Sequence, residues 1–261
     1  MTRIARVLSI ASSDSSGGAG IQADLRAFAA AGCHGTSVIV ALTAQNTREV
    51  SAVHAVPCDF VVAQLRAVFD DIGVDAAKTG MLFSAEIIES VATYLESHPV
   101  PLVVDPVMVA SSGARLLRDD AVSVMVRRLF PLATVVTPNL PEAKALTGAD
   151  GSRRELAERL HAMGAPAVIV TGGHGSTAVD HLFDGRRHVE IPVPRHPVAA
   201  TGWAGGKGQG EMEGAAAPKL AFHPNAAAQQ LDQVFHDVQA QAGSGSHLAR
   251  GAVIRAEEFL E

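Results

Sequence analysis

Six short polar segments of the chain carry the residues whose types and spacing could do chemistry. Each follows an apolar run, and together they contain glycines, carboxylates and side-chain amides. Glycine-rich loops expose backbone N–H groups that can cradle a phosphate, and an amide offers a ring both a donor and an acceptor. Six such segments in order predict a long ligand groove. They are SSDSSGGAG (12–20), TAQNT (43–47), KTGM (78–81), DPVM (105–108), TPNLPE (137–142) and TGGH (171–174).

The elements that must position these segments alternate between strand and helix patterns. TSVIVAL (36–42), for example, is a β-branched run typical of a strand buried on both faces. The alternation continues to residue 172 and predicts an α/β fold whose mostly parallel sheet is covered by helices on both faces. Because ligands collect at the carboxyl ends of parallel strands, the polar segments should meet at one edge. The apolar face of the first predicted helix consists of Ile21, Leu25, Phe28 and Ala29.

Two later regions differ from this alternation. Residues 177–193 have the pattern of two shorter strands around an Asp184-Gly185 turn. Residues 199–217 are mostly Gly and Ala. We therefore expect one domain over residues 1–261 in which residues 199–261 are atypical, rearranged or poorly ordered.

Composition narrows the class of protein. The chain has 261 residues, of which 48% are hydrophobic and 18% charged, with a net charge of −6. This balance gives no reason to expect a nucleic-acid or membrane-surface partner. The N-terminal apolar run is too short for a signal peptide, and no apolar window is long enough for a membrane span. Cys33 and Cys58 lack metal-site spacing, so a reducing cytoplasm is expected.

Each polar segment also has a purely structural interpretation. SDSSGGAG could be a tight turn, and Gln45 with Asn46 could be a solvated turn. Asn139 and Glu142 have the spacing of a helix capping box. His174 fits a structural or exposed position. These alternatives stay open for each segment taken alone, whereas the ordered set favours a binding site.

Taken together, the segments resemble the ribokinase-like kinases of vitamin metabolism, most closely hydroxymethylpyrimidine and phosphomethylpyrimidine kinase of thiamine synthesis. The similarity covers about residues 5–195 and implies a three-layer α/β/α fold, ATP with Mg²⁺, and a homodimer. The acceptor that it implies is an aminopyrimidine alcohol or its monophosphate. The stretches that carry it are IASSDSSGGAGIQADL, LTAQNT, AKTGM, VVDPVMVASSGARLL, LFPLATVVTPNLPEAKALTG and VIVTGGH.

The resemblance implies an acceptor site at the first loops. Asp24 and Gln45 match the family residues that hold the pyrimidine. Met81 and Val107 would flank the ring, and the backbone of SGGAG would close over it. The acceptor residues implied are therefore Asp24, Gln45, Met81, Val107, Gly18 and Gly20.

The resemblance also implies where nucleotide and metal bind. Asp105 and Glu142 look like the carboxylates that hold magnesium directly or through water. Asn139 and Thr171 would lie near the nucleotide phosphates. Thr171 stands where many relatives have Lys, and Lys78 is a candidate for supplying the missing charge.

The last family motif departs from the pattern. A loop of the form T-x-G-x-G-[CD] normally provides an anion hole and ends in the proton acceptor. Here AATGWAGGKGQGEMEG (199–214) keeps Thr201-Gly202, so Gly202 is a candidate for the anion hole. Gly205 falls where the acceptor is expected, and the catalytic base is therefore unknown. The segment also departs from a Walker A loop, because Gly202 is one residue too close to Gly206-Lys207 and Gly208 replaces the Ser or Thr, so a rearranged or poorly ordered loop is favoured.

Several interpretations follow from this departure. In one interpretation the C-terminal part has diverged, which leaves a weak kinase or a non-catalytic protein that binds a pyrimidine or a nucleotide. In the other, residues 199–261 are not the natural C-terminus, for example through a change of reading frame. Among enzymes, a pyridoxine- or pyridoxal-type vitamin kinase is the alternative to phosphorylation of hydroxymethylpyrimidine.

Overall fold

A computed structural model of the chain describes residues 3–108, 117, 119–172 and 179–192. These residues form a nine-stranded sheet and six α-helices. The strands are β1 (Arg6–Asp14), β2 (His34–Gln45), β3 (Val50–Ala55), β4 (Ala76–Thr79), β5 (Leu102–Val104), β6 (Val135–Val136), β7 (Val168–Val170), β8 (Val179–Phe183) and β9 (His188–Pro192).

The sheet is parallel in its centre and antiparallel at both ends. Its spatial order is β3-β2-β1-β4-β5-β6-β7-β8-β9. Strands β2, β1, β4, β5, β6 and β7 pair in parallel, whereas β3, β8 and β9 pair antiparallel to their neighbours. Six strands thus direct their carboxyl ends to a single edge, as the alternating pattern predicts.

Helices connect the parallel strands, and α3, α5 and α6 begin at side-chain caps. Ser84 caps α3 by accepting a hydrogen bond from the backbone of Ile87 at 3.4 Å, and both Asn139 and Ser152 form capping boxes. A π-helical turn, Val68–Ile72, follows α2. The helices are α1 (Gly20–Ala30), α2 (Cys58–Ala67), α3 (Ala85–Ser97), α4 (Asp119–Arg128), α5 (Leu140–Thr147) and α6 (Arg153–Ala162).

Alternation along β1 shows how helices cover both faces of the sheet. Leu8 and Ile10 are fully buried in the main core, which also contains residues of α2 through α6. Ser9, between them, turns to the opposite face and donates a hydrogen bond to Asp24 of α1 at 2.7 Å. Helix α1 and helices α2 to α6 therefore lie on opposite faces, which confirms the predicted three-layer α/β/α architecture.

The hairpin predicted around Asp184-Gly185 is present as β8 and β9. The Asp184 carboxylate accepts hydrogen bonds from the backbone of Arg186 and Arg187, at 2.9 and 2.6 Å, which closes the turn. None of the helices within the described ranges is long and apolar enough to cross a bilayer. The expectation for residues 199–261 lies outside the described residues.

Two details of the sequence-based expectation were wrong. The pattern gave no strand between β2 and α2, but β3 lies there as an edge strand that is mostly exposed or half-buried, so it lacks a buried β-branched run. On α1, the predicted apolar face included Ala29, which is exposed. The buried residues of the helix are instead Ile21, Asp24 and Ala27, so that a carboxylate occupies the middle of the buried stripe.

Candidate active site at the carboxyl edge of the sheet

The predicted site residues gather along one edge of the sheet in the order of its strands. Gln45 ends β2, and Met81 lies just beyond β4. Asp105 directly follows β5, and Thr171 directly follows β7. Because the strand order is β2-β1-β4-β5-β6-β7, Gln45 lies toward one end of this edge and Asn139 and Thr171 lie toward the other. Lys78, predicted for the nucleotide, and Val107, predicted for the acceptor, lie between them.

The loop after β1 is held by a residue that the sequence analysis did not single out. Asp14 is 3% exposed, and its carboxylate accepts hydrogen bonds from the backbone N–H groups of Ser16 and Ala19, both at 2.8 Å. Its position two residues before Ser16 is the signature of an Asx turn, which could have identified it. The loop is therefore preorganised by a buried carboxylate.

Gly20, at the start of α1, allows this loop to approach β1 closely. Its φ is +57°, and a Cβ built there would lie 2.4 Å from the backbone oxygen of Ser12. Only glycine fits both the left-handed backbone and this contact. The neighbouring Gly18 is half-buried in the same loop.

Gln45 is tied to the first loop through its backbone. Ser15 Oγ donates to the Gln45 carbonyl at 2.7 Å and accepts from the Gln45 N–H at 2.8 Å. The side-chain Oε1 of Gln45 accepts a 3.3 Å hydrogen bond from Thr43. Its amide nitrogen has no hydrogen-bond partner among the described residues and is available as a donor.

Met81 and Val107 border the middle of the edge. Met81 is 5% exposed, and its carbonyl accepts a 3.2 Å hydrogen bond from the backbone of Ser12. Val107 is half-buried, and its N–H donates to the Asp105 carbonyl at 2.9 Å. The structure thus places Met81 beside the first loop and Val107 immediately after Asp105, so both lie between the two ends of the site.

Lys78, Asp24 and Asp105 form a buried cluster beneath the edge. Lys78 Nζ lies 3.0 Å from Asp24 Oδ1 and 3.2 Å from Asp105 Oδ2. The three side chains are 6, 2 and 5% exposed. The resemblance assigned these residues to the nucleotide, the acceptor and the metal, but the structure brings all three together. Reaching a phosphate would require Lys78 to leave both carboxylates.

Two carboxylates share one ammonium in this cluster. Burial alone lowers the pKa of Lys78, but Asp105 and Asp24 outweigh it, and the pKa lies above its ordinary value. Burial raises the pKa of Asp105, an effect that Lys78 opposes and the Asp24 charge reinforces. The ammonium of Lys78 therefore favours the charged form of Asp105, against the opposing effects of burial and of Asp24.

At the other end of the edge, Asn139 and Glu142 form the capping box of α5. Glu142 Oε2 accepts from the Asn139 N–H, and Asn139 Oδ1 accepts from the Glu142 N–H, both at 2.8 Å. Capping thus explains the spacing of this pair without a ligand, and the roles assigned to them in nucleotide and metal binding stay predictions. Thr171 is 6% exposed and pairs with Asn139 as a parallel bridge.

The residues after β5 and β6 supply oxygen atoms that a cation could use. Thr137 Oγ1 is buried without a hydrogen bond, and Asp105 Oδ2 is buried with only its 3.2 Å ion pair to Lys78. Because Val104 pairs with Val136 in register, Asp105 and Thr137 are neighbours. Within the described residues, no group of three His, Cys, Asp or Glu side chains is arranged to hold a metal ion. The donor set therefore fits Mg²⁺ completed by water and phosphate oxygens rather than an all-protein cage.

Comparison with known proteins shows the family. Residues 14–207 match the model of the phosphomethylpyrimidine kinase family. The chain belongs to this family. It is 52% identical over 202 residues to hydroxymethylpyrimidine/phosphomethylpyrimidine kinase of Rhizobium meliloti, covering 75% of each chain. It is 56% identical over 196 residues to the thiamine biosynthesis bifunctional protein ThiED of Geobacter sulfurreducens, covering 72% of this chain but only 40% of that longer protein.

Solved structures of vitamin kinases share the fold. The phosphomethylpyrimidine kinase of Clostridium difficile superposes with a TM-score of 0.71 at 34% identity, covering 92% of this chain and 100% of that one. A pyridoxal kinase of Staphylococcus aureus in complex with AMP-PCP gives a TM-score of 0.64 at 36% identity, covering 72 and 71%. The similarity confirms the ribokinase-like family fold and the resemblance inferred from the sequence. The predicted residues Gly202 and Gly205 lie outside the described residues.

Proposed function

We propose that this protein transfers the γ-phosphoryl group of ATP to the hydroxyl of 4-amino-5-hydroxymethyl-2-methylpyrimidine, hereafter hydroxymethylpyrimidine, and to the phosphate of its monophosphate. Membership of the phosphomethylpyrimidine kinase family supports this activity. The observation that carries the proposal is that the described residues of the six polar segments follow the parallel strands at the carboxyl edge of one sheet. Such an edge can align an acceptor and a nucleotide for direct transfer.

We assign the acceptor to the end of the edge formed by β2, β1 and β4. The free amide nitrogen of Gln45 can donate to a pyrimidine nitrogen, while its Oε1 can accept from the amino group by exchanging its 3.3 Å contact with Thr43. Met81 and Val107 supply apolar surface for the ring. The loop around Gly18 and Gly20 would close over the ring. Because Asp14 already holds this loop, binding would not have to supply the entropic cost of ordering it.

The nucleotide phosphates are assigned to the end of the edge formed by β6 and β7. Asn139 and Thr171 face each other there, and the N-terminus of α5 contributes a favourable dipole. Asp105 and Glu142 would hold a magnesium ion that neutralises charge on the transferred phosphoryl group. Analogue-bound and ADP-bound pyridoxal kinases of similar fold support the use of ATP.

A pyridoxal-type activity is the alternative that a specific observation favours. Two structures of the pyridoxal kinase from Staphylococcus aureus, one in complex with AMP-PCP and one with pyridoxal, resemble this chain at 35 to 36% identity with TM-scores of 0.64. The experiment that separates the two compares hydroxymethylpyrimidine and pyridoxal as acceptors, with products identified by mass spectrometry. The proposal requires a monophosphate and then a diphosphate of hydroxymethylpyrimidine. A higher kcat/KM for pyridoxal would favour the alternative.

A non-catalytic role is the second alternative, and it rests on Gly205. Glycine has no side chain to accept the proton of the attacking hydroxyl. Calorimetry that shows tight binding of hydroxymethylpyrimidine, together with no phosphoryl transfer above a no-enzyme blank, would support this role and contradict catalysis by the chain.

The family resemblance also leads us to propose a homodimer located in the cytoplasm. Cys33 and Cys58 are both free thiols, which is compatible with a reducing compartment. Light scattering coupled to size-exclusion chromatography would test the dimer. A mass of one chain at micromolar concentration would contradict it.

A further inference from the structure

The buried ammonium of Lys78 connects two elements that belong to different ends of the site. Asp24 lies on α1, directly after the loop assigned to the acceptor, whereas Asp105, which directly follows β5, is assigned to the magnesium ion at the phosphate end. Lys78 Nζ contacts Asp24 Oδ1 and Oδ2 at 3.0 and 3.2 Å and Asp105 Oδ2 at 3.2 Å. Among the described residues, no other cation lies within ion-pair distance of either carboxylate.

The sheet topology explains why a single side chain can make this connection. Strand β4 lies between β1 and β5, so Lys78 is flanked by the strand preceding α1 and by the strand preceding Asp105. Asp24 is anchored further by Ser9 Oγ at 2.7 Å. Because both carboxylates contact the same ammonium, a change at either one alters how Lys78 interacts with the other. The low dielectric of the interior strengthens this electrostatic effect.

From this arrangement we propose that Lys78 is a positioning residue that couples the acceptor end of the site to its phosphate end. The proposal deepens the proposed function and rests on it. When a neutral side chain replaces Asp105, Lys78 keeps only its contacts with Asp24, which changes how α1 and its preceding loop hold the acceptor. Acceptor affinity thus depends on Asp105, although Asp105 belongs to the other end of the site, and the dependence is reciprocal.

A purely structural ion-pair cluster makes a different prediction. In that case, replacing Asp105 lowers the free energy of unfolding but leaves the dissociation constant of the acceptor unchanged. The dissociation constant of the acceptor, measured without metal and nucleotide, separates coupling from a purely structural cluster. Neither a bound metal ion nor a phosphate can then transmit the effect of the Asp105 substitution.

The experiment is isothermal titration calorimetry of hydroxymethylpyrimidine onto the full chain without metal or nucleotide. The variants are the wild type, Asp105→Asn, Lys78→Met and the double variant. We expect Asp105→Asn to change the dissociation constant by ~5-fold or more in the wild-type background and by less than ~2-fold in the Lys78→Met background. Asp75→Asn is the matched control, since Asp75 is likewise a carboxylate in an ion pair, with Arg6 and Arg3, has a side chain that is only 7% exposed, and does not contact Lys78.

Two results would overturn the coupling: an Asp105→Asn dissociation constant within twofold of the wild type, or the same effect of Asp105→Asn with and without Lys78. The first result needs only the Asp105→Asn variant, so it can be obtained even if Lys78→Met does not fold. In that case Lys78→Gln, which keeps a hydrogen-bond donor, replaces Lys78→Met in the double-mutant comparison. Urea unfolding checks that each variant is folded. A wild-type chain that binds no hydroxymethylpyrimidine would contradict the proposed function and, with it, the coupling.

Discussion

Glu142 and Asn139 cap the first turn of α5 reciprocally, each accepting the other's backbone N–H at 2.8 Å. Ser152 and Glu155 form the same motif at the start of α6, which provides an internal comparison. The α5 box is distinguished by its place at the carboxyl edge and by Glu142, which is only 8% exposed. A capping role and a ligand role can therefore be separated experimentally.

Replacing Glu142 with Gln should affect metal dependence far more than stability. Glutamine can also close a capping box, so we expect the free energy of unfolding to change by less than ~0.5 kcal/mol. Loss of the carboxylate should raise the magnesium concentration needed for half-maximal nucleotide binding by ~10-fold or more. Calorimetry of ADP across a magnesium series measures this, with Glu155→Gln as the control. An unchanged magnesium requirement in Glu142→Gln would reject Glu142 as a metal ligand.

Gly20→Ala should damage the first loop more than Gly32→Ala damages the end of α1. Both glycines have positive φ, +57° and +68°, but only at Gly20 would a Cβ meet the backbone, at 2.4 Å from Ser12 O. We expect Gly32→Ala to cost ~1 kcal/mol from backbone strain and Gly20→Ala to cost ~1–3 kcal/mol more. Urea denaturation measures both. Equal losses would show that the close approach to Ser12 is not what requires glycine.

The global fold could be predicted because its signals are local. Strand and helix patterns alternate along the chain, and a parallel sheet then places the loop after each central strand at one edge. The capping boxes and the Asp184 turn are also encoded within four residues. The strand β3 was missed because an edge strand exposed on much of its surface carries little of the pattern that marks buried strands.

The buried cluster could not be predicted from local patterns. Lys78 and Asp24 meet only through tertiary packing of α1 against the sheet. The helical periodicity shows Asp24 only as a polar residue on an otherwise apolar helix face. No local pattern indicates that its buried partner is Lys78, which lies 54 positions later in the chain. The residue types were therefore identified as functional candidates, but their mutual pairing needed the structure.

His181 should make stability depend on pH below neutrality. It is 6% exposed, and its Nε2 lies 2.9 Å from His188 Nδ1. Burial, reinforced by His188, lowers the pKa of His181 below its ordinary 6.5. The folded state then binds fewer protons than the unfolded state, so stability is fully present above pH 6.5 and falls as the pH drops toward the folded pKa.

Urea unfolding at a series of pH values from about 5.5 to 7.5 tests this dependence. The wild type should lose at most ~1.4 kcal/mol per pH unit from this group, and His181→Gln should flatten the profile. The exposed His54, replaced by Gln, is the control and should keep the wild-type slope. A His181→Gln profile parallel to that of the wild type would contradict the assignment.

Adding a proton acceptor at position 205 should raise turnover if the missing base limits catalysis. General-base catalysis contributes ~10²–10⁴-fold, so we expect Gly205→Asp or Gly205→Cys to raise kcat by at least ~10-fold. Gly206→Asp, at the adjacent glycine, is the control for added charge. Steady-state kinetics with hydroxymethylpyrimidine provides the measurement. No gain in either Gly205 variant would show that the lack of a side chain there is not what limits the rate.

We propose that this chain phosphorylates hydroxymethylpyrimidine with ATP at the carboxyl edge of its sheet. The most direct measurement follows formation of hydroxymethylpyrimidine monophosphate and ADP by the full chain, beside a Gln45→Ala variant. Gln45 supplies a free amide donor, so its loss should reduce kcat/KM by ~10-fold or more. We expect the full chain to form equimolar ADP and phosphorylated pyrimidine at a rate well above that of Gln45→Ala. Product formation no faster than in that variant would contradict it.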